Sequence, residues 1–104
     1  MKTKTIQIPK EEAKHFEKIL KMNSYYPDTP KDGVISTFTA EFDNGFQVDI
    51  KICNGDSQGG PYIDPVLFDK DGIELCVIEV EDTLLGEYLF EYEDKTYQVL
   101  VEAV

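Results

Sequence analysis

The segment that most restricts how this chain can fold is Ile73–Val80, which reads Ile-Glu-Leu-Cys-Val-Ile-Glu-Val. Neighbouring side chains of a β-strand point to opposite faces, so this segment would present apolar side chains on both faces. Such a strand needs cover on both faces, which is typical of a central strand and not of an edge strand. We therefore expect Ile73–Val80 to lie in the middle of a sheet, with Cys76 and Ile78 buried.

A different kind of cover can come from the amphipathic segment Glu12–Met22. Pro9 suits the first turn of a helix, where its missing N–H costs nothing, and Glu11 complements the helix dipole there. The apolar residues at i, i+3, i+6 and i+7 form one stripe on a helix. These residues are Ala13, Phe16, Ile19 and Leu20. The pattern predicts one helix within about residues 10–22, laid across the sheet.

The rest of the chain is typical of β-structure. Its length of 104 residues predicts a single domain that spans residues 1–104. Strand signals separated by turn residues predict three antiparallel hairpins, preceded by a short strand at Thr3–Ile8. We expect an α+β fold in which one N-terminal helix packs on a twisted antiparallel sheet of five to seven strands, built from three hairpins. The hairpin strands are expected among residues 34–42, 46–53, 62–68, 73–81, 86–92 and 96–103.

The hydrophobic pattern of the first hairpin predicts its turn. A two-residue turn at Asn44-Gly45 would mix apolar and charged side chains on each face. A three-residue loop instead pairs Phe42 with Phe46 and keeps the faces separate. We therefore expect a type I turn that ends in a G1 bulge, with Gly45 at positive φ.

The other two hairpins carry weaker signals. In the second hairpin, Pro65 cannot donate a backbone hydrogen bond, so its strand is expected to be an edge strand or to contain a bulge. In the third hairpin, pairing Tyr92 with Tyr97 keeps the apolar residues on one face. The other face then carries Leu89 and Leu100, which predicts that the helix covers part of that face.

The charge of the chain excludes some classes of function. The chain has 10 Lys, no Arg and 21 acidic residues, for a net charge of −11. Direct binding of nucleic acid or of an anionic membrane needs a basic face, so neither is expected. Residues 1–21 carry a net charge of +3, whereas residues 22–104 carry −14. The acidic part is either a solvated surface or a surface that meets a basic partner.

The sequence contains no pattern typical of a catalytic, metal or cofactor site. The one histidine, His15, falls off the apolar stripe of the helix and is expected to be exposed and without a catalytic partner. The two cysteines have no metal-binding spacing and are expected to be reduced thiols, Cys76 inert in the core and Cys53 exposed at a strand end. Residues 69–72 lack the calcium-loop pattern, and residues 53–61 lack phosphate-binding motifs. We predict no cofactor, no metal and no catalytic residue.

Two segments keep a ligand-binding alternative open. Tyr25 and Tyr26 are adjacent in a loop, where they either plug one end of the core or form a recognition patch. The Gly-rich segment 53–61 is either a mobile surface loop or a binding loop. The alternative function is therefore a small cytosolic domain that binds a small ligand, or acts as an enzyme, near these two segments.

The acidic side chains form the main candidate site. Rows of carboxylates about 5–7 Å apart on a sheet approach the phosphate spacing of a nucleic-acid strand. Such an array would complement the basic surface of a nucleic-acid-binding protein. The candidate partner-binding residues are Glu41, Asp49, Glu79, Glu81, Asp82, Glu87 and Glu91.

In character, the whole chain resembles the small acidic inhibitors carried by phages and mobile elements, such as anti-CRISPR proteins and DNA mimics. The resemblance rests on small size, a net charge of −11, Lys without Arg, and a helix on an antiparallel sheet, and it involves no signature motif. It implies a non-enzymatic protein that occupies a basic, nucleic-acid-binding surface of a partner protein.

The sequence also bears on location. The segment Met1–Pro9 has no apolar run of signal-peptide length, and no segment reaches the length that spans a membrane. We therefore expect a cytoplasmic protein, and the sequence leaves its partner and its oligomeric state open.

Overall fold

One helix and seven strands make up the part of the chain that the computed structural model describes, residues 1–80 and 83–104. The helix predicted within residues 10–22 is present, and each of the six predicted strand segments contains a strand, which confirms the α+β class. The elements are β1 (Lys2–Ile8), α1 (Lys10–Leu20), β2 (Val34–Glu41), β3 (Gln47–Cys53), β4 (Tyr62–Phe68), β5 (Glu74–Val77), β6 (Gly86–Tyr92) and β7 (Lys95–Ala103).

The strands form two sheets, whereas the sequence predicted a single antiparallel sheet. One sheet has the order β1-β7-β6 and the other has the order β2-β3-β4-β5. β1 pairs with β7 in parallel, from Lys2 opposite Tyr97 to Ile8 opposite Ala103. Turn residues in the sequence predict pairing only between strands that follow each other in the chain. The pairing of β1 with β7 joins distant residues, so no local sequence pattern predicts it. The two sheets approach each other where β1 lies beside β2 and where β5 lies beside β6.

The core lies between the inner faces of the two sheets, and α1 adds side chains to it. In β3, Val48, Ile50 and Ile52 alternate with polar residues and are fully buried. Burial of each such side chain contributes about 1.5–3 kcal/mol. The other sheet and the helix contribute to the same cluster through Ala13, Leu20, Tyr88, Phe90, Tyr97, Val99 and Val101. β3 is therefore the buried centre of the four-stranded sheet.

The prediction of a central strand at Ile73–Val80 is wrong. β5 occupies only the middle of this segment, and it is the edge strand of the four-stranded sheet. Ile73 is 60% exposed and Val77 is 50% exposed, while Cys76 and Ile78 are half-buried. The apolar pattern shows that both faces could be covered, but only the inner face of this sheet meets a second layer.

The turn of the first hairpin agrees with its prediction. The Phe42 N–H donates to the Phe46 carbonyl at 2.7 Å, which closes the three-residue loop. Gly45 has a φ of +88°, so it occupies the left-handed region that favours glycine. The hydrophobic register of β2 and β3 therefore determined the turn correctly.

The third hairpin folds in a different register from the predicted one. A two-residue turn at Glu93-Asp94, with φ values of 49° and 62°, pairs Tyr92 with Lys95 instead of Tyr97. Two central residues at positive φ are typical of a type I′ turn, whose twist matches that of the flanking strands. The register differs by two residues, and side chains alternate with a period of two, so the buried face is the predicted one.

β4 carries Pro65 in the interior of its sheet, at a position that tolerates the missing N–H. The Ile78 N–H donates to the Pro65 carbonyl at 3.4 Å, so the backbone of Pro65 faces β5 where the pairing of β4 with β5 ends. The register shifts between Leu67 and Phe68 in this pair of strands. The extra residue at this shift is Leu75 of β5, so β4 is neither bulged itself nor an edge strand, and both alternatives predicted from Pro65 are wrong.

The outer face of the three-stranded sheet is open, so the prediction that the helix covers it is wrong. Leu89 on this face is 43% exposed. The Gln98 amide beside it donates to Glu87 at 2.7 Å, as a polar side chain at a solvated surface would. α1 lies towards β2 instead, where the Phe16 ring meets the Phe38 ring edge to face at 5.6 Å.

The hairpin turns and α1 lie at opposite ends of a molecule whose longest dimension is 39 Å. The first and second turns touch, because a Cβ on Gly45 would lie 3.0 Å from the Cβ of Lys70. β7 begins at the third turn and runs to the other end, where the Lys10 N–H donates to the Val104 carbonyl at 3.0 Å. α1 therefore begins at the end of the sheets that lies farthest from the turns.

Candidate functional site: an acidic surface at the hairpin turns

The predicted partner-binding residues do not lie on one face of the molecule. Glu41 and Asp49 lie on the outer face of the four-stranded sheet, because their neighbours along β2 and β3 are buried. Glu87 and Glu91 lie on the outer face of the three-stranded sheet. The inner faces share one core, so these two outer faces point in different directions. Glu79 is exposed after β5, while Glu81 and Asp82 lie outside the described residues.

Glu41 and Asp49 meet a third carboxylate in a cleft between the first two turns. Asp69, which opens the second turn, lines this cleft with them, and the volume is about 370 Å³. The floor and walls also include Phe68 and Lys70. We call this feature the acidic cleft, because carboxylates outnumber the single lysine.

Asp49 is held in place by its neighbours on the sheet. Its Oδ1 atom accepts hydrogen bonds from the Thr39 hydroxyl at 3.0 Å and from the Gln47 amide at 2.8 Å. Both neighbours donate, so they hold the carboxylate in one orientation. The sheet therefore presents a fixed negative charge to the cleft.

Asp69 orders the second turn through backbone hydrogen bonds. Its Oδ1 atom accepts from the Asp71 N–H and from the Ile73 N–H, both at 2.9 Å. This is the turn chemistry expected of Asp in such a position. In residues 1–80 and 83–104, no group of three or more Asp, Glu, His or Cys side chains is placed to hold a metal ion.

The third turn adds negative charge beside the second. Glu93 is the largest cause of a raised pKa of the Tyr92 phenol, followed by burial, and Asp69 of the second turn raises it further. The Tyr92 ring lies 6.3 Å from the Phe46 ring of the first hairpin, which brings all three turns together. We call this surface the acidic turn end. Its carboxylates are Asp43, Asp69, Asp71, Glu93 and Asp94.

An aromatic cluster supports the acidic turn end from below. The buried ring of Tyr97 stacks on Phe46 at 5.1 Å and meets Phe42 edge to face at 5.2 Å. The Asn44 amide donates to the Tyr97 hydroxyl at 3.0 Å. The first turn is therefore anchored to the core, and a surface on a rigid base loses less entropy on binding.

Sequence reasoning did not identify the acidic turn end as one surface. None of its five carboxylates is among the candidate partner-binding residues that the sequence predicts. One signal was available, because successive antiparallel hairpins joined by longer connections can place all their turns at the same end of a sheet. The acids that close those hairpins then become neighbours in space.

A weak ion pair links the acidic turn end to β1. The Lys4 ammonium lies 3.7 Å from Asp43 Oδ1, with the Lys4 side chain 43% exposed and the Asp43 side chain 90% exposed. Exposed pairs of this kind contribute at most about 1 kcal/mol. Asp43 therefore remains free to exchange this lysine for a basic group of a partner.

The loop that carries Tyr25 and Tyr26, near which the alternative site was predicted, is held by the side chain of Asn54. The Asn54 side chain is fully buried beneath this loop, and its Oδ1 atom accepts from the Tyr26 N–H at 2.7 Å and from the Gly55 N–H at 2.9 Å. Its amide nitrogen donates to the carbonyls of Tyr26, Thr29 and Pro30. The side-chain oxygen and nitrogen of Asn54 are therefore both hydrogen-bonded to the backbone of this chain.

The two tyrosines and the neighbouring histidine join the loop to the helix. Tyr26 and Tyr25 are both half-buried, and the Tyr26 ring meets His15 edge to face at 6.2 Å. Lys31 lies 4.8 Å from the centre of the Tyr25 ring. His15 is exposed, as predicted.

The segment 53–61 packs more closely than a mobile surface loop would. A Cβ on Gly60 would overlap the Met22 carbonyl oxygen, so the backbones touch at this point. Pro61 is buried as well. Gly55 and Gly60 therefore serve close packing of the backbone, whereas Gly59 has open space beside it.

Both cysteines differ from their predicted exposure. Cys53 is buried rather than exposed, and Cys76 is half-buried rather than in the core. Burial raises the pKa of both thiols, and Asp64 raises that of Cys53 further. Both cysteines are free, and the raised pKa values keep them protonated and weakly reactive at neutral pH.

Comparison with protein-family models, with curated proteins and with solved structures gives no match to this chain. Among the described residues, no helix combines the length and the apolar character that crossing a bilayer requires.

Proposed function

We propose that this chain is a non-enzymatic binding protein that occupies the basic, nucleic-acid-binding surface of a partner protein, as a phage-encoded inhibitor of the anti-CRISPR type would. The observation that carries the proposal is the acidic turn end, where the acidic cleft opens among carboxylates from the hairpin turns. A surface that has displaced nucleic acid must offer negative charge where the phosphates were.

The acidic cleft fits the side chains of a basic surface. Its volume of about 370 Å³ leaves room for a lysine or arginine side chain. An arginine could bond two carboxylate oxygens at once, and charge-assisted bonds of this kind are stronger than neutral ones. Asp49 is already oriented by Thr39 and Gln47, so less side-chain entropy is lost when the cation arrives.

An exposed apolar residue beside the carboxylates favours binding over mere solubility. Ile73 is 60% exposed and follows the second turn directly, while its N–H is held by Asp69. Surfaces that serve only solubility gain nothing from such a residue. In an interface, an apolar anchor surrounded by charged groups is the usual arrangement.

The uneven charge also favours a directed approach. Lys14 and Lys18 lie on α1, at the end of the molecule opposite to the acidic turn end. Exposed charges farther apart than about 8–10 Å are largely screened at physiological salt. A basic partner therefore meets the acidic turn end without interference from the lysines of α1, and electrostatic steering should make association fast.

The test compares two pairs of charge reversals. Glu41→Lys with Asp71→Lys changes one carboxylate of the acidic cleft and one of the acidic turn end, whereas Asp28→Lys with Glu102→Lys changes exposed acids elsewhere by the same +4. The tagged wild-type chain first captures its partner from the native host at low and moderate salt. The affinity of that purified partner, and displacement of labelled nucleic acid from it, are then measured for each variant.

The first pair should weaken binding at least tenfold, about 1.4 kcal/mol, and the second pair should change it less than threefold. Binding should weaken steeply as the salt concentration rises. Equal losses from both pairs, absence of a salt effect, or a partner that keeps its nucleic acid would each contradict the proposal.

A further inference from the structure

A groove runs along α1 and is bordered by Leu85 and Ala103. Its volume is about 480 Å³. It is separate from the acidic cleft and shares no residue with it. Four lysines line it, three on α1 and one directly after its last residue: Lys10, Lys14, Lys18 and Lys21. What could bind here does not depend on the proposed function.

The four lysines form one row along the helix. Their spacings of four, four and three residues place them on the same face of α1. With a rise of 1.5 Å per residue, the row from Lys10 to Lys21 is about 16 Å long. Among residues 1–80 and 83–104, Glu17 is the one acidic residue that lines the groove, so this described lining carries an excess of positive charge in a chain of net charge −11.

The floor of the groove is apolar. Ala13 is buried, and Ala103 and Leu85 are half-buried and pack against the core. The two alanines leave space where larger side chains would fill the groove, which lets another element approach closely. An apolar floor bordered by cations is complementary to an apolar stripe bordered by acids.

We propose that this groove binds an amphipathic helix of a partner protein, with an apolar stripe on the floor and Asp or Glu side chains beside the lysine row. The lysine row is about three helical turns long, which suits a helix of similar length, and a partner with acids at every turn can reach each lysine. A second copy of this chain does not fit, because α1 is the one helix of the described residues and its exposed face repeats the lysines.

The test uses a synthetic helical peptide as the probe. The peptide has 18 residues, with leucines at i, i+3, i+4 and i+7 repeats and glutamates on both sides of the stripe, and it carries a fluorescent label. A peptide of the same composition in scrambled order serves as the control probe. Fluorescence anisotropy should report saturable binding of the helical peptide and at least tenfold weaker binding of the scrambled one.

Two sets of variants separate the charge from the groove. Lys14→Glu with Lys18→Glu should weaken the peptide at least tenfold, whereas the matched reversal of Lys70 and Lys95 to Glu, outside the groove, should change it less than twofold. Ala103→Leu keeps every charge but fills the floor, and it should weaken the peptide at least fivefold. Circular dichroism and thermal melting identify any variant that fails to fold.

A measurement on the wild-type chain keeps the test independent of the variants. In ¹H–¹⁵N NMR titrations, the peptide should shift the amide signals of α1 and of Leu85 and Ala103. Signals that move only at the acidic turn end, equal affinity for the scrambled peptide, or equal losses from both lysine pairs would overturn the proposal. Binding of oleate without binding of the peptide would also overturn it, since the site would then take an anionic amphiphile.

Discussion

Replacement of Asn54 by alanine should be among the most damaging single changes in this protein. The Asn54 side chain is fully buried and takes part in five hydrogen bonds with the backbone of two loops. Each such bond contributes about 1 kcal/mol net, and a buried backbone group left without a partner costs about 1–3 kcal/mol. Because some of these groups can regain water at the surface, we expect a loss of about 3–5 kcal/mol from Asn54→Ala.

That loss is large compared with the total stability of about 5–15 kcal/mol that is typical of a domain. Urea denaturation followed by circular dichroism measures it, with Asn23→Ala as the control because Asn23 is exposed. The control should change the free energy of unfolding by less than about 0.5 kcal/mol. A cost of Asn54→Ala below about 1 kcal/mol would refute the view that this side chain holds the two loops together.

Asn54→Asp adds a pH dependence with a definite sign. The new carboxylate could still accept from the N–H groups of Tyr26 and Gly55, but it would face three carbonyl oxygens without a proton to donate. Burial and these carbonyls should raise the pKa of the Asp in the folded state above its unfolded value. The folded state then retains a proton that the unfolded state has lost, so stability relative to wild type should fall as pH rises above about 4. Equal destabilisation at pH 4.5 and pH 7 would contradict this reasoning.

Three further outcomes follow from the fold. Gly45→Ala and Gly72→Ala both place a Cβ at positive φ, which costs about 1 kcal/mol in each case. Gly45→Ala should cost more in urea denaturation, because only its Cβ meets Lys70; equal costs would show that the two turns do not touch. Glu87→Lys with Glu91→Lys should leave the fold intact, because both are exposed on β6. This pair lies outside the acidic turn end, so in surface plasmon resonance it should weaken binding of the basic partner less than threefold; a tenfold loss, about 1.4 kcal/mol, would show that the partner also contacts the outer face of the three-stranded sheet. Burial raises the pKa of Tyr88 to about 12, with a further contribution from Glu17, so the folded state keeps a proton that the unfolded state loses above about 10. Stability should therefore fall as pH rises from about 10 towards 12, and Tyr88→Phe should remove part of that fall in urea denaturation between pH 8 and pH 11.

The first and third hairpins show how far local patterns can predict register. In the first hairpin, only the three-residue loop keeps Phe42 and Phe46 on the same face, so the hydrophobic pattern selects one turn. In the third hairpin, a shift of two residues leaves the faces unchanged, so the same reasoning cannot distinguish Lys95 from Tyr97 as the partner of Tyr92. In that hairpin the turn sets the register. Its two central residues, Glu93 and Asp94, adopt positive φ although neither is a glycine, so the sequence gives no signal for this turn.

The sequence by itself determined those features that depend on residues close together in the chain. The apolar stripe of α1, the alternation in β3 and the left-handed Gly45 all follow from spacings of a few residues and from local backbone sterics. Only the tertiary structure decided that β1 pairs with β7, that Ile73–Val80 contributes an edge strand, and that three acidic turns share one end. A local pattern states which way each side chain points, whereas the neighbours of that side chain depend on which distant segments bury the most apolar surface together.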